Sequence, residues 1–134
     1  EQCFIRKKRI MQFNNSGQAI YLQIADYVCE KVLLKEWQAE TKIPSVRELA
    51  VQLEVNPNTV ARTYEFLKQQ DIIYDKRGIG YFISPNGLQN AMEYRKHEFT
   101  EKEMPSVFRI MYMLGIEIED LKARFEKFKK NYVA

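Results

Sequence analysis

Glu54-Val55-Asn56-Pro57-Asn58-Thr59 is the stretch on which the reading of this chain turns. Asn56 is a favourable helix N-cap, and Pro57 then falls at the first helical position, where its missing N–H costs nothing. The stretch predicts a helix that opens at Pro57 and runs to about Gln69 or Gln70. Val60, Thr63, Tyr64 and Leu67 form its buried face, and Asn58, Ala61, Arg62 and Glu65 its outward one.

Upstream, Ser45-Val46-Arg47-Glu48 has the S-x-x-E spacing of a capping box. Val46, Leu49, Ala50 and Leu53 follow at i, i+3, i+4 and i+7, which predicts a helix of about two turns, too short to stand alone in water. Two short helices joined by a tight turn, the second polar at its start, make a helix-turn-helix. Further upstream, Ile20, Ile24, Val28 and Leu34, with Ala25, Cys29 and Val32, mark the apolar face of a helix from Ile20 to about Trp37. Cys29 on that face reads as a small buried hydrophobe. Ile43-Pro44 ends the linker that follows.

Downstream, Ile72-Ile73-Tyr74 and Tyr81-Phe82-Ile83 flank Asp75-Lys76-Arg77-Gly78-Ile79-Gly80, a hairpin with a basic tip. Its G-x-G is no phosphate loop, because no helix opens after it. A helix-turn-helix followed by such a hairpin is a winged helix. The predicted fold is therefore mainly α with a small β-hairpin, followed by a short C-terminal helical dimerisation region. Three segments are expected: an N-terminal arm over 1–17, the winged helix over 18–85 and the helical tail over 86–134. In the tail, Leu88, Ala91, Met92, Arg95 and Phe99 sit at helical spacing, and Pro105 can only open a new helix. Gly115 ends that second helix, and Glu119 and Asp120 favour the start of a third. So small a tail cannot bury its own aromatics. They must cover either the winged helix or a second copy of the chain, and for a dimer Val107, Phe108, Met111, Tyr112, Leu114, Leu121, Phe125 and Phe128 are the residues expected at the contact.

Length and composition fit one such domain. The chain has 134 residues, 46% hydrophobic and 29% charged, with a net charge of +3. It is too short for an additional ligand domain of ordinary size. No apolar run approaches the ~18 residues of a membrane span, and residues 1–10 are charged where an export signal would be apolar. A cytoplasmic protein without membrane association is expected. Two scattered cysteines, Cys3 and Cys29, and one histidine, His97, give neither a disulfide framework nor a metal site, and no cofactor is implied. With no nucleophile elbow and no P-loop either, nothing suggests an enzyme. Charge alone does not announce a nucleic-acid binder, since residues 42–84 hold six basic against five acidic residues. The placement of the basic residues carries the case instead.

Four segments resemble the GntR family of transcriptional regulators. They are Ile20-Tyr21-Leu22-Gln23-Ile24-Ala25, Ile43-Pro44-Ser45-Val46-Arg47-Glu48-Leu49-Ala50, Val55-Asn56-Pro57-Asn58-Thr59-Val60 and Arg77-Gly78-Ile79-Gly80-Tyr81-Phe82-Ile83. The short helical tail and Asn-Pro-Asn-Thr-Val resemble the YtrA subfamily. The resemblance implies a dimeric DNA binder, often a repressor of transporter operons, that uses Arg47, the start of the recognition helix and the wing glycine Gly78 on DNA. Pro57 and Ala61 replace arginines that read bases in larger relatives, and Glu54 and Asp71 stand where glycine is common.

The expected DNA-binding residues are Ser45, Arg47, Asn56, Pro57, Asn58, Thr59, Arg62, Lys76, Arg77 and Gly78. Each has a plainer reading. Arg47 is also suited to a surface ion pair, Arg62 to a pair with Glu65, and Lys76 and Arg77 to a solvated turn. The free N–H groups at the start of the recognition helix are expected to suit a phosphate. Arg6-Lys7-Lys8-Arg9 reads as a solvated arm or a phosphate-contacting one, while Lys68 and His97 read as solvated surface residues. The function expected is sequence-specific binding of double-stranded DNA by a homodimer on a near-palindromic operator, as a repressor. The alternative is a winged-helix module that binds protein through its aromatic tail. A small-molecule effector is compatible with either, and would sit where the tail meets the winged helix or at the dimer contact.

Overall fold

A computed structural model describes Phe13 and residues 17–132. Arg6–Arg9, Cys3 and Asn14–Ser16 lie outside the described residues. Helices α1 (Ile20–Leu33), α2 (Val46–Leu53) and α3 (Pro57–Gln69) are followed by strands β1 (Ile73–Lys76) and β2 (Gly80–Ile83), then α4 (Gly87–Glu98). A π-helical turn over Phe99–Glu103 leads to α5 (Met104–Leu114), and α6 (Ile118–Asn131) closes the chain. The chain divides within α4 into two compact units, one up to Met92 and one from Glu93.

The first unit is the winged helix. Ile24, Ala25, Val28, Cys29 and Val32 of α1 are buried with Leu49, Ala50 and Leu53 of α2 and Val60, Thr63, Tyr64 and Leu67 of α3. The face predicted for α3 is the one observed. In α1 the two ends differ from expectation, since Ile20 and Leu34 are exposed. The helix also stops at Leu33 rather than near Trp37, because Lys35 turns into the left-handed region at φ 60°. Trp37 lies beyond the helix and meets Tyr27 edge-on at 6.5 Å.

That early stop frees residues 40–43 to run beside β2. The Glu40 N–H donates to the Ile83 carbonyl, the Ile83 N–H to Thr41, and the Ile43 N–H to Tyr81, at 2.8, 3.1 and 3.0 Å. Lys42 thereby pairs with Phe82. The hairpin expected from sequence thus gains an isolated bridge on its β2 side, concealed in what reads as a linker. β1 and β2 are antiparallel, with Ile73 opposite Ile83 and Lys76 opposite Gly80. Beyond the wing, a Cβ on Gly87 would lie 2.8 Å from the Ile72 carbonyl oxygen and 2.6 Å from Ile83 Cγ2, so only glycine fits where α4 begins.

In the second unit α4 ends at Glu98, and Pro105 opens a new helix as expected, without a break in between. The chain stays helical and widens by the π turn, so that Pro105 enters in the first turn of α5. The wider turn relieves the clash that a proline ring makes with the carbonyl four residues back. Gly115 ends α5 at φ 67°, as expected. α6 opens with a reciprocal capping box between Glu117 and Asp120, with Glu119 and Asp120 in its first turn.

Apolar side chains of this unit face solvent: Val107, Phe108, Leu114, Leu121, Phe125 and Phe128 are exposed, and Tyr112 is 90% so. Met111 alone among the eight residues expected at a dimer contact is buried, at 8%. Of the apolar positions expected along α4, Ala91 is buried while Leu88, Met92 and Phe99 are exposed. No helix among the described residues is long and apolar enough to cross a membrane.

Candidate nucleic-acid interface

The site is built on the turn between α2 and α3. Ser45 caps α2, its Oγ accepting the Glu48 N–H at 3.1 Å. Among the described residues the Glu48 carboxylate returns no bond, so only half of the expected capping box forms. The Ser45 hydroxyl proton stays available to an acceptor. Glu54 ends α2 in the left-handed conformation (φ 55°, ψ 46°), and Asn56 then caps α3, its side-chain oxygen accepting the Asn58 N–H at 2.8 Å.

Two bonds fix α3 against the rest of the unit. The buried Tyr64 hydroxyl donates to the Pro44 carbonyl at 2.6 Å, and its ring meets Tyr81 of the wing edge-on at 4.8 Å. Burial pushes the Tyr64 phenol well above its ordinary range. The Thr63 hydroxyl donates to the Tyr21 carbonyl at 2.8 Å, with the Thr59 carbonyl at 3.1 Å as a second acceptor. These contacts thus join recognition helix, wing and α2 entry directly.

One expectation fails here. The start of α3 offers no open N–H group to a phosphate. Pro57 has none, that of Asn58 is held by Asn56, and those of Thr59 and Val60 bond the Asn56 carbonyl at 3.0 and 3.3 Å. What the helix presents is its side chains. Asn56, Pro57, Asn58 and Arg62 are exposed and Thr59 is half-buried. Arg62 does not pair with Glu65, which instead lies 3.7 Å from Lys68. Its guanidinium carbon sits 3.9 Å from the centroid of the Tyr21 ring. Lys68 is not simply solvated either. It reaches Asp75 on the wing at 3.2 Å, and that hydrogen bond holds its ammonium above the usual lysine range. Arg47 is exposed and makes no ion pair among the described residues.

The wing carries its cations outward. Lys76 Nζ stands 4.6 Å from the Phe82 ring, which stacks on Tyr74 at 5.6 Å. Arg77 and Gly78 form the exposed tip, and Gly78 takes φ +76° with open space around it, so conformation rather than crowding favours glycine there. Lys42 escaped the sequence reading. Its side chain lies across β2, with Cε 2.9 Å from where a Cβ on Gly80 would be. The missing signal was long-range pairing of residue 42 with residue 82. The second glycine of the wing, Gly80, was the one local trace of it. His97 is exposed on α4. Among the described residues no cluster of His, Cys, Asp or Glu could hold a metal ion.

Residues 20–83 match the family model of bacterial regulatory proteins of the gntR family. The chain is 36% identical over 106 residues to the uncharacterized HTH-type transcriptional regulator YhcF of Bacillus subtilis, covering 79% of this chain and 86% of the relative. It is 34% identical to the HTH-type transcriptional repressor YtrA of Bacillus subtilis, covering 79% and 81%. A crystal structure of a GntR-family regulator from Bacteroides thetaiotaomicron superposes with a TM-score of 0.68 at 45% identity, covering 84% of this chain and 97% of that one. With a capped recognition helix, an exposed cationic wing and these relatives, the chain belongs to the GntR family of DNA-binding helix-turn-helix transcriptional regulators, and within it is similar to YtrA.

Proposed function

We propose that the protein acts as a homodimer on a near-palindromic operator and represses the genes behind it, a transporter operon being the target that the resemblance favours. The observation that carries this reading is the set of exposed cationic side chains left without acidic partners, with polar side chains between them. Asn58, Thr59 and Arg62 on α3 are proposed to read bases. Ser45 and Arg47 on α2 and Lys76, Arg77 and Gly78 on the wing are proposed to hold the backbone. Lys42 joins the backbone set. Asn56 spends its side-chain oxygen on its cap but keeps its amide N–H donors for the DNA, and Pro57 shapes the helix start.

Dimerisation is proposed through the exposed apolar side chains of α5 and α6. Phe108, Met111, Tyr112 and Ile118 line an open depression of about 280 Å³ that side chains of a second copy would fill. The similarity to a repressor over most of both chains supports the sign of regulation.

Anisotropy titrations of the intact protein against duplexes tiling the region upstream of its own gene, at several salt concentrations, test the proposal alongside sedimentation. The expected result is one preferred duplex, bound by a dimer, with affinity falling steeply as salt rises. Absence of any salt-dependent duplex binding would leave the protein-binding reading in its place.

A further inference from the structure

Tyr21, in the first turn of α1, engages three residues of α3 at once. Its carbonyl accepts the Thr63 hydroxyl at 2.8 Å, its ring meets Phe66 edge-to-face at 6.3 Å and 78°, and the Arg62 guanidinium carbon lies 3.9 Å from its ring centroid. The first contact fixes the backbone of Tyr21 relative to α3, and the second fixes the plane of its ring. The ring is then a prepared platform for a cation.

The acid that ordinary helix spacing would offer Arg62 is turned away, because Glu65 faces Lys68. A guanidinium held over a ring keeps its N–H donors, since the π contact leaves the edge donors unengaged. A long, flexible arginine on a reading helix would otherwise have to be ordered at the moment of binding.

Resting on the proposed role of Arg62 in base reading, we infer that Tyr21 is a positioning residue for DNA recognition: it holds the Arg62 guanidinium in its groove-facing pose before the duplex arrives. Sequence preference at the base pair read by Arg62 then depends on a residue in α1 that itself touches no base.

A double-mutant cycle on duplex binding tests this in the full chain. Tyr21→Leu removes the ring yet keeps the carbonyl that Thr63 uses, and Tyr21→Phe keeps the ring. Tyr21→Leu is expected to weaken operator binding roughly threefold to tenfold and to flatten discrimination at the base pair that Arg62→Ala also relaxes. Tyr21→Phe stays near wild type, and Tyr21→Leu adds nothing once Arg62 is alanine. Equal losses from Tyr21→Leu with and without Arg62 would mean a merely structural tyrosine and overturn the inference. So would unchanged discrimination in Arg62→Ala, with the family function intact. A wild-type protein that bound no duplex would instead sink the operator reading. A readout independent of how Tyr21→Leu folds is the Arg62 side-chain NMR signal in the wild type. It should be shifted upfield by the ring, and an unshifted signal contradicts the stacked pose.

Discussion

Replacing Glu54 by glycine should make the protein more stable. Glu54 sits at φ 55°, ψ 46°, exposed, at the C-terminal end of α2. A left-handed conformation costs a residue with a Cβ about 1–2 kcal/mol. Glycine escapes that cost but loses more chain entropy on folding, about 0.5–1 kcal/mol. A carboxylate at a helix C-terminus also opposes the helix dipole, by about 0.3–1 kcal/mol at an exposed site. Together these give a net stabilisation of about 1 kcal/mol for Glu54→Gly. For a unit of this size that is a rise in melting temperature of roughly 4–8 °C.

Thermal melts followed by circular dichroism, with Glu54→Gln as the charge-only control, separate the two contributions. Glutamine should recover the dipole part alone and glycine both. Asp71 supplies the internal contrast. It too is left-handed, at φ 52°, but its carboxylate accepts the Ser84 hydroxyl at 3.1 Å. Asp71→Gly gives up a charge-assisted bond worth about 1.5–3 kcal/mol, so it should be neutral or destabilising. If Glu54→Gly melted no higher than Glu54→Gln, or if the two glycine variants behaved alike, backbone strain would not be what distinguishes these positions.

Other outcomes follow from the same geometry. Tyr64→Phe leaves the part-buried Pro44 carbonyl without the Tyr64 hydroxyl and should cost about 1–3 kcal/mol in denaturant melts. Because burial raises the Tyr64 phenol pKa in the folded state, its contribution is fully present below about pH 10 and is lost as the pH rises above that; the phenylalanine variant should lack this alkaline loss. Arg47→Ala and Lys42→Gln should each weaken binding across all duplexes and reduce the slope of log affinity against log salt by about 1; unchanged slopes would remove those residues from the backbone set. Asn58→Ala should alter which duplex is preferred and leave the slope in place, and selection from a randomised duplex pool reads that directly. Phe108→Glu with Phe125→Glu should sediment as a monomer and bind the operator far more weakly; a dimer that survived both charges would move the contact elsewhere.

The legible parts of the fold were those set by local chemistry. Asn56-Pro57 announces a helix start because capping and the proline ring act over two residues, and the buried face of α3 follows from a period that three turns repeat. Gly115 marks the end of α5 for the same local reason. Illegible features depended on partners distant in sequence. Residues 40–43 are strand-like only because Tyr81 and Ile83 lie opposite them. Lys68 reads as solvated until the wing brings Asp75 to it, and Arg62 as a partner of Glu65 until α1 brings Tyr21. Glu54 and Asp71 lie between these cases. Their places were legible as glycine-prone through the resemblance, and the left-handed backbone supplies the physical reason.

The state of the α3 N-terminus constrains how affinity and specificity divide in the proposed complex. A helix start with open N–H groups would bind phosphate through its backbone and would tolerate changes in nearby side chains. Here Pro57 and the Asn56 cap close that route. Anchoring to the backbone then falls to exposed cations, Arg47 on α2, Lys42 beside the wing and Lys76 and Arg77 on it, whose contribution disappears with salt. Discrimination falls to three side chains on one short face, Asn58, Thr59 and Arg62. Only one of them is cationic, and it is already stacked. Raising salt should therefore strip affinity much faster than sequence preference, so that the ratio of specific to mismatched binding changes little over a range where each alone falls by orders of magnitude. A ratio that collapsed together with affinity would place sequence reading on the wing cations instead of on α3.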